Sequence, residues 1–269
     1  MIYEYILNGN KQYGTGKNDI CRSAFYCEPE VIREHVIIAP AWKLELFDEV
    51  TGDVSLISDA MYKVWDVTVG DEKFTYIVTG IGAPLVIDAV LALGCTPCKK
   101  LIFIGSVGAL DKNIGIGDII VPEYSVCGDG ACRYLTDKPL TGNDCFGEEY
   151  YPDRDLYQTI ISKTKAVSGG DNIGWHIGQN FSTDTVLAQF AHLDEIISMG
   201  CNCIEMETAA LFKSAEICNI KCGAVFSVSD NSVVQKSLLS GRTEDEMKYR
   251  GHVRKQYLTK IVLESLFHR

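Results

Sequence analysis

Residues 100–110 read KLIFIGSVGAL, a run of apolar residues that passes directly into a G-S-x-G turn. A short apolar run bounded by turn residues is typical of a strand that is buried on both faces. The turn then places backbone N–H groups and the hydroxyl of Ser106 at the tip of that strand, where they can hold an oxyanion. On its own the motif is equally consistent with a plain turn and with a ligand-binding loop.

Similar apolar, β-branched runs recur along the chain and alternate with helical patterns. The predicted strands are 35–40, 62–69, 73–80, 100–106, 118–126, 174–180 and 221–229. The clearest predicted helices are 84–93, 155–166, 185–198, 207–218 and 244–266. This alternation indicates an α/β fold with a largely parallel or mixed sheet that helices cover on both faces. Residues 128–151 are predicted to be a long loop, because they combine turn residues with few regular apolar positions.

The chain has 269 residues, of which 36 are acidic and 25 are basic, and its net charge is −11. That sign opposes binding to the phosphate backbone of nucleic acids and to anionic membranes. No stretch approaches the roughly 20 apolar residues that a membrane span needs, and the N-terminus lacks the pattern of a signal peptide. We therefore expect a cytoplasmic globular protein with neither nucleic acid nor membrane as a partner.

The eleven cysteines are an odd number and are scattered through apolar segments. Free thiols in a reducing compartment fit this pattern better than a disulfide framework does. Cys95 and Cys98 form the one C-x-x-C motif. Without a second such pair or spaced histidines, this motif is a weak indication of zinc. The sequence thus predicts buried or incidental thiols and no metal site.

Three further motifs follow predicted strands, and ligands of such sheets collect at the carboxyl ends of strands. Residues 79–84 read TGIGAP, in which Gly82 either makes a tight packing turn or opens the N–H groups of a helix start to an anion. Residues 204–207 read IEME, whose two acids either interact with a helix dipole or face a ligand. Residues 228–230 read VSD, in which Asp230 is either a turn or helix cap or an acid at a strand tip.

Taken in order, six motifs resemble those of the nucleoside phosphorylase family, which includes purine nucleoside phosphorylases, uridine phosphorylases and methylthioadenosine nucleosidases. The motifs read TGIGAP, IGSVGAL, IGDIIVP, GQNFSTD, IEMETAA and VSD. They are most similar to those of the hexameric bacterial purine nucleoside phosphorylases. The resemblance implies one α/β domain over residues 1–269, with a mixed, partly barrel-like sheet flanked by helices and a poorly matched segment at residues 1–30. It also implies a homo-oligomer, either a dimer or a hexamer built as a trimer of dimers.

The resemblance further implies cleavage of the N-glycosidic bond of a purine nucleoside. Asp230 would protonate or hydrogen-bond N7 of the departing base, assisted by Arg250 or Arg254, and Glu207 would accept hydrogen bonds from the ribose hydroxyls. Cleavage builds positive charge on the sugar and negative charge on the base, so a carboxylate beside the ribose and a proton donor beside the base favour the transition state. An ordinary Asp has a pKa of about 3.9, so Asp230 must be desolvated or lie near another negative charge to act as an acid at neutral pH.

The other matching positions imply contacts to the sugar, the base and phosphate. The implied ribose contacts are Met206, Glu207 and Ser106, and the implied base contacts are Phe181, Ile204, Glu205 and Asp230. The implied contacts on the phosphate side are Gly82, Ser106 and Lys43. Inorganic phosphate would be the co-substrate, and no cofactor or metal is implied.

The phosphate side of the match departs from the family pattern. Family phosphorylases hold phosphate with three arginines, and none stands at the corresponding positions here, near residues 40–44, 59–61 and Phe103. A dianion in a partly dry pocket needs opposite charge or many donors. Phosphorolysis of a purine nucleoside is the leading hypothesis. The resemblance to the family favours phosphorolysis, and the lack of a convincing copy of the Gln/Arg pair of uridine-selective members favours a purine. Phosphate-independent hydrolysis and nucleoside binding without turnover are the open alternatives.

Overall fold

Ten strands form one mixed sheet in residues 1–171 and 173–268, the part of the chain that the computed structural model describes. The strands are β1 His35–Ala39, β2 Val54–Asp59, β3 Lys63–Val69, β4 Glu72–Val78, β5 Lys100–Ala109, β6 Ile119–Gly128, β7 Glu149–Tyr150, β8 Trp175–Thr183, β9 Cys203–Glu205 and β10 Lys221–Asn231. The α-helices are α1 Ile2–Gln12, α2 Lys17–Phe25, α3 Ala83–Leu93, α4 Arg154–Asp171, α5 Leu193–Ser198, α6 Thr208–Ile217, α7 Glu244–Val253 and α8 Thr259–Leu266. All seven predicted strands are present, as β1, β3, β4, β5, β6, β8 and β10.

The sheet closes into a five-stranded barrel and carries an open extension. Around the barrel the order is β5-β9-β8-β6-β10, and β10 returns to pair in parallel with β5. From β5 the sheet also continues outward through β1, β4 and β3 to β2. Parallel and antiparallel pairs both occur, since β6 and β8 are parallel whereas β9 runs antiparallel to β5. The predicted single α/β domain with a mixed, partly barrel-like sheet is confirmed.

Alternate residues of β5 face two separate apolar cores. Leu101 and Phe103 pack in the core that contains the buried faces of α3 and α6. Ile102 and Ile104 pack in the core that contains the buried faces of α4 and α8. Successive side chains of a strand point to opposite faces, so a strand covered on both sides has an uninterrupted apolar sequence. This is why residues 100–104 have an unbroken apolar run after Lys100.

The barrel closes tightly where β5, β9 and β10 meet. Gly108 of β5 pairs with Ile204 of β9 on one side and with Asp230 of β10 on the other. A β-carbon at Gly108 would lie 3.1 Å from the Ile204 side chain and 3.3 Å from an oxygen of Asp230. Contacts that close leave little room for any side chain. Gly108 thus allows the Asp230 carboxyl to approach the tip of β5.

The predicted helix 244–266 is interrupted by a π-helical turn. α7 begins with a capping box in which the Thr243 hydroxyl accepts the N–H of Glu246. Residues Arg254–Leu258 then form the π-helical turn, and α8 follows it. A π-turn inserts extra backbone into one turn of a helix, which changes the direction of the side chains around it. The turn begins at Arg254, a residue of the candidate site described below.

Two other sequence predictions differ from the structure. The prediction of a helix over 185–198 is wrong in its first half, because Ala188–His192 form a 3-10 helix with no buried residue and therefore no apolar face to dock a longer α-helix. The strands β2, β7 and β9 were not predicted. β7 has two residues and β9 has three, which is too short to show an alternating pattern. Residues 128–151 are mainly a loop, with a 3-10 turn at Cys132–Tyr134 and the two-residue strand β7.

The helices α1 and α2 pack against α3 and were not predicted. The Tyr3 hydroxyl donates to the carbonyl of Leu91 at 2.8 Å, and Cys21 and Phe25 are buried in the core that α3 shares. Residues 1–30 are thus packed onto the body of the domain. Among the helices of the two described ranges, none is both long and apolar enough to cross a membrane.

Candidate active site

A cavity of about 180 Å³ lies at the carboxyl ends of β1, β5 and β10, beside β9; we call it the Asp230 cavity. Six predicted site residues line it: Ser106, Ile204, Glu205, Met206, Glu207 and Asp230. Residues that the sequence did not single out also line it, among them Trp42, Val186, Gln189, Ser229 and Leu238. The fold therefore brings distant motifs to one place, at the strand ends where α/β sheets bind ligands.

Asp230 is a buried carboxyl group at the end of β10, with 7% of its surface exposed. The hydroxyl of Ser229 donates to its Oδ1 at 2.5 Å. Burial raises the pKa of Asp230 above its ordinary value, because desolvation disfavours the charged carboxylate, whereas the Ser229 hydrogen bond and nearby Arg242 and Arg250 act in the opposite direction. The proton is therefore held more tightly than on an exposed Asp, as an acid catalyst requires.

Arg242 is a cationic neighbour of Asp230 that the sequence analysis did not identify. Its guanidinium donates to the carbonyl of Leu238 at 2.6 Å and to that of Ser229 at 3.3 Å. Among the charges that lower the pKa of Asp230, Arg242 has a larger effect than Arg250. Arg242 directly precedes Thr243, the N-cap of α7, and this position is the only sign of it in the sequence. The residue assisting Asp230 was instead expected at Arg250 or Arg254.

Glu207 stands at the N-terminus of α6 and contacts the glycine-rich turn before α3. The N–H of Gly82, whose φ is +113°, donates to Oε1 of Glu207 at 2.7 Å. Burial and the neighbouring Glu205 raise the pKa of Glu207 to about 8, although the N–H of Gly82 partly opposes the shift. The predicted contact residues Gly82 and Glu207 are thus joined directly, and the raised pKa of Glu207 favours its protonated form at neutral pH.

Glu205 fixes the start of α6 from the end of β9. Its Oε2 accepts the N–H groups of Glu207 at 2.7 Å and Thr208 at 2.8 Å, and its Oε1 accepts the hydroxyl of Ser182 at 2.5 Å. Burial raises the pKa of Glu205, and these hydrogen bonds oppose the rise. Although Glu205 lines the cavity, both of its oxygens are engaged within the protein. Its hydrogen bonds position Glu207.

Ser106 receives two hydrogen bonds at the tip of β5. Arg250 of α7 donates to its Oγ at 2.6 Å, and the indole N–H of Trp42 donates to the same oxygen at 3.2 Å. A hydroxyl has two acceptor sites and one proton. With both acceptor sites occupied, the Ser106 proton is available for a hydrogen bond to a ligand. The Arg254 guanidinium stacks over the Trp42 ring, 4.5 Å from its centroid.

Arg250 and Arg254 bring positive charge into the interior beside Ser106. Arg250 is 7% exposed, and its Nε and that of Arg254 are buried with no hydrogen-bond partner among the described residues. Burial, together with repulsion from Arg254 and Arg242, lowers the pKa of Arg250 to about 10, and Asp230 only partly offsets this. Burial also lowers the pKa of Arg254. Like charges held together out of water are unfavourable unless an anion joins them.

Four predicted site residues do not line the Asp230 cavity: Gly82, Lys43, Phe181 and Arg250. Gly82 lines an adjacent cavity and donates its N–H to Glu207, and Arg250 reaches the lining through Ser106. Lys43 is exposed and precedes a 3-10 helix at Leu44–Phe47, and it is not among the described residues that line the cavity. Phe181 lines a neighbouring cavity of about 330 Å³ and packs edge-on against Phe146. Gln189 lines both cavities. A ligand that extends from Asp230 past Gln189 would therefore reach Phe181.

The sequence matches the phosphorylase superfamily over residues 36–264. The chain belongs to this superfamily. Its relatives include the uridine phosphorylase of Thermococcus kodakarensis, which is 28% identical over 180 residues, 62% of this chain and 61% of that protein. They also include the DeoD-type purine nucleoside phosphorylase of Listeria welshimeri, 24% identical over 161 residues, 60% of this chain and 64% of that protein. Each match spans less than two thirds of the relative's length. The family match over residues 36–264 and the names of these relatives make the chain a member of the nucleoside phosphorylase family.

The fold of this family member also matches a solved structure. The uridine phosphorylase of Vibrio fischeri superposes with a TM-score of 0.72 and 19% sequence identity, covering 88% of this chain and 93% of that one. Identity at that level supports the fold alone. The expected resemblance to the nucleoside phosphorylases is confirmed, and the roles of the site residues stay predictions.

The raised pKa of Glu207 predicts a pH-dependent contribution to the stability of this phosphorylase-family chain. Because the folded-state pKa of about 8 exceeds the ordinary 4.5, the folded state binds more protons between these values. The stabilising contribution is therefore complete below pH 4.5 and is lost as the pH rises toward 8. Relative to Glu207→Gln, the wild-type unfolding free energy should fall by up to about 1.4 kcal/mol per pH unit in this window. Urea unfolding of both proteins at several pH values measures this, and parallel pH curves would refute it.

Proposed function

We propose that this chain is a nucleoside phosphorylase that acts on purine nucleosides. In the proposed reaction an oxygen of inorganic phosphate forms a bond to C1′ of the ribose while the bond from C1′ to the base nitrogen breaks. The electron pair of that bond moves onto the base, and Asp230 supplies the proton to N7. The products are the free base and ribose 1-phosphate.

The observation that carries this proposal is the buried Arg250 and its hydrogen bond to Ser106. Together with Arg254 it forms a cationic edge beside the Asp230 cavity, where the Ser106 proton is also free to be donated. Phosphate is a dianion with several acceptor oxygens, so it suits this positive charge and can accept a hydrogen bond from the Ser106 hydroxyl. A water nucleophile would leave that positive charge uncompensated. This favours phosphorolysis over hydrolysis.

The ribose is proposed to lie against Glu207 and Met206. The carboxyl group of Glu207 is fixed by the N–H of Gly82, and Met206 lines the same cavity. Hydroxyl groups that donate to the Glu207 carboxylate favour its ionised form. Ribose binding would therefore lower the raised pKa of Glu207 and place a negative charge beside the developing positive charge of the sugar.

The purine is proposed to lie between Asp230 and Gln189. Asp230 has the raised pKa that a proton donor to N7 needs, and uracil has no N7 to accept that proton. The amide of Gln189 can both donate and accept, which suits the polar edge of a purine. Beyond Gln189, the ring of Phe181 in the neighbouring cavity offers an aromatic surface for the base. A cytoplasmic location and assembly into dimers or trimers of dimers are part of the same proposal.

Chromatography of reaction mixtures tests the proposed function. Adenosine, inosine, guanosine, uridine and methylthioadenosine are each incubated with the protein, with and without inorganic phosphate. We expect free base from at least one purine nucleoside, and only when phosphate is present. Equal release in phosphate-free buffer would make the chain a nucleosidase, and nucleoside binding by calorimetry with no base release would make it a binding protein; either result would overturn the proposal.

A further inference from the structure

A second group of reactive side chains lies outside the Asp230 cavity, where β6 ends. Cys127, Asp129 and Cys132 are buried, and their sulfur and carboxylate atoms lie within 4.8 Å of one another. The Cys127 sulfur is 3.4 Å from Oδ2 of Asp129, and the Cys132 sulfur is 3.2 Å from the same oxygen. Three atoms that can ligate a metal therefore surround one point.

These distances match the edges of a tetrahedral zinc site. A Zn²⁺ ion with a Zn–S bond of about 2.3 Å and a Zn–O bond of about 2.0 Å separates sulfur from oxygen by roughly 3.5 Å. The two sulfur-to-oxygen distances around Asp129 are close to that value. Two thiolates also select zinc over magnesium or calcium, which prefer oxygen ligands.

The orientation of the Asp129 carboxylate is fixed by the loop itself. Its other oxygen, Oδ1, accepts the N–H groups of Ala131 at 2.9 Å and Cys132 at 2.8 Å. Carboxylates that ligate metals are commonly held in this way, by hydrogen bonds to the oxygen that does not bind. Oδ2 is thereby directed toward the two sulfurs.

Lys213 supplies a charge that suits a bound ion. Two thiolates and one carboxylate carry three negative charges, so a Zn²⁺ ion leaves one negative charge over. The Lys213 ammonium lies 3.2 Å from the carbonyl of Cys132, and its other partners are the Cys145 sulfur at 3.1 Å and the Tyr150 hydroxyl at 2.7 Å. A cation held against the loop by these groups balances the remaining charge.

We propose that Cys127, Asp129 and Cys132 bind one Zn²⁺ ion as three of its four tetrahedral ligands. The ion would join the end of β6 to the loop that follows it. Gly130, Ala131 and Leu135 of that loop line a cavity of about 750 Å³, which Met206 also lines. Zinc would therefore stabilise the wall that adjoins the Asp230 cavity. The proposal is independent of the proposed reaction.

Metal analysis of the full chain tests the site. The protein is purified under reducing conditions without chelators, its zinc content is measured, and metal-free protein is titrated with Zn²⁺ or Co²⁺ alone. We expect one zinc per chain and, with Co²⁺, the charge-transfer absorption of thiolate ligands. Asp129→Asn keeps the Oδ1 acceptor that the loop needs, and it should weaken zinc binding at least about 10-fold.

Matched cysteine variants separate the site from incidental thiols. Cys127→Ser and Cys132→Ser should each lose the cobalt charge-transfer band in part, and the double variant should lose it entirely. Cys201→Ser is the control, because Cys201 is a buried thiol in a different apolar cluster and should leave zinc binding unchanged. No zinc uptake by reduced wild-type protein at a 1:1 ratio, or unchanged uptake by the folded double variant, would overturn the proposal.

Discussion

Replacing Asp230 by Asn is expected to lower kcat for base release from a purine nucleoside by about 10²- to 10⁴-fold. The amide has nearly the same shape and can still form a hydrogen bond, but it cannot transfer a proton to the departing base. Binding of the nucleoside should change little, since the cavity keeps its shape. Steady-state kinetics at saturating phosphate, with calorimetric measurement of nucleoside binding, separates the two effects.

A control distinguishes loss of the acid from a general loss of charge. Asp137 is exposed and lies outside the residues that line the cavity, so Asp137→Asn should retain wild-type rates. Wild-type kcat in Asp230→Asn would show that the base leaves without a proton from this residue. Loss of nucleoside binding together with kcat would instead assign Asp230 to binding, against the role proposed for it.

Replacing Arg250 by Met is expected to lower kcat/KM for phosphate by about 10²- to 10³-fold, the usual effect of removing one donor to an oxyanion. Methionine fills much of the same buried space without charge. The KM for the nucleoside should change far less, because Glu207, Met206 and Asp230 remain in place. Arg250→Lys should recover part of the loss, because it restores a charge without the two-pronged geometry of a guanidinium.

Two further substitutions test whether Arg250 itself holds phosphate. Arg154 is exposed on α4, and Arg154→Met should leave the phosphate kinetics unchanged. Lys43 was the sequence-based candidate for the phosphate charge. Lys43→Met should have little effect because Lys43 is exposed, whereas Arg250 is buried and donates to Ser106 of the cavity lining. A large loss in Lys43→Met with normal phosphate kinetics in Arg250→Met would reverse the assignment.

Much of the cavity could be predicted because motifs that directly follow predicted strands must lie at the carboxyl edge of the sheet. Apolar residues 100–104 identify β5, so Ser106 was expected near its carboxyl end. The predicted G-S-x-G turn is wrong, because β5 continues through Ser106 to Ala109, where it pairs with β9 and β10. The same reasoning from an apolar run placed Asp230 directly after the predicted strand 221–229, and it lies at the end of β10, which runs to Asn231. Parallel strands bring their carboxyl ends to one edge, so these residues were expected to meet.

The position of Arg250 and Arg254 beside Ser106 could not be predicted in the same way, although the resemblance implied that one of them assists Asp230. Arg250 and Arg254 lie on helices, and a helical sequence pattern does not predict which strand ends its charged side chains contact. The π-helical turn that starts at Arg254 has no recognisable signal in sequence either. The arginines expected from the family were sought after β1 and before Ser106, whereas here the charge comes from the opposite end of the chain.

The cysteine cluster was missed for a related reason. Cys127 and Cys132 flank Asp129 with a spacing that differs from paired C-x-x-C motifs. Cys127 lies just before the segment predicted to be a loop, residues 128–151, and Cys132 lies within it. Their approach depends on the turn at Cys132–Tyr134 and on the hydrogen bonds of the Asp129 carboxylate. The sequence has no pattern that predicts this turn, so the proximity of the two sulfurs is recognised only in the three-dimensional structure.

The fate of inorganic phosphate tests the central claim most directly. Phosphorus NMR of a reaction with the purine nucleoside that yields most base follows phosphate and sugar phosphate in the same sample. Our account predicts that phosphate disappears as ribose 1-phosphate forms, with one equivalent for each free base and a rate that depends on Arg250. Free base appearing while the phosphate signal stays constant would contradict it.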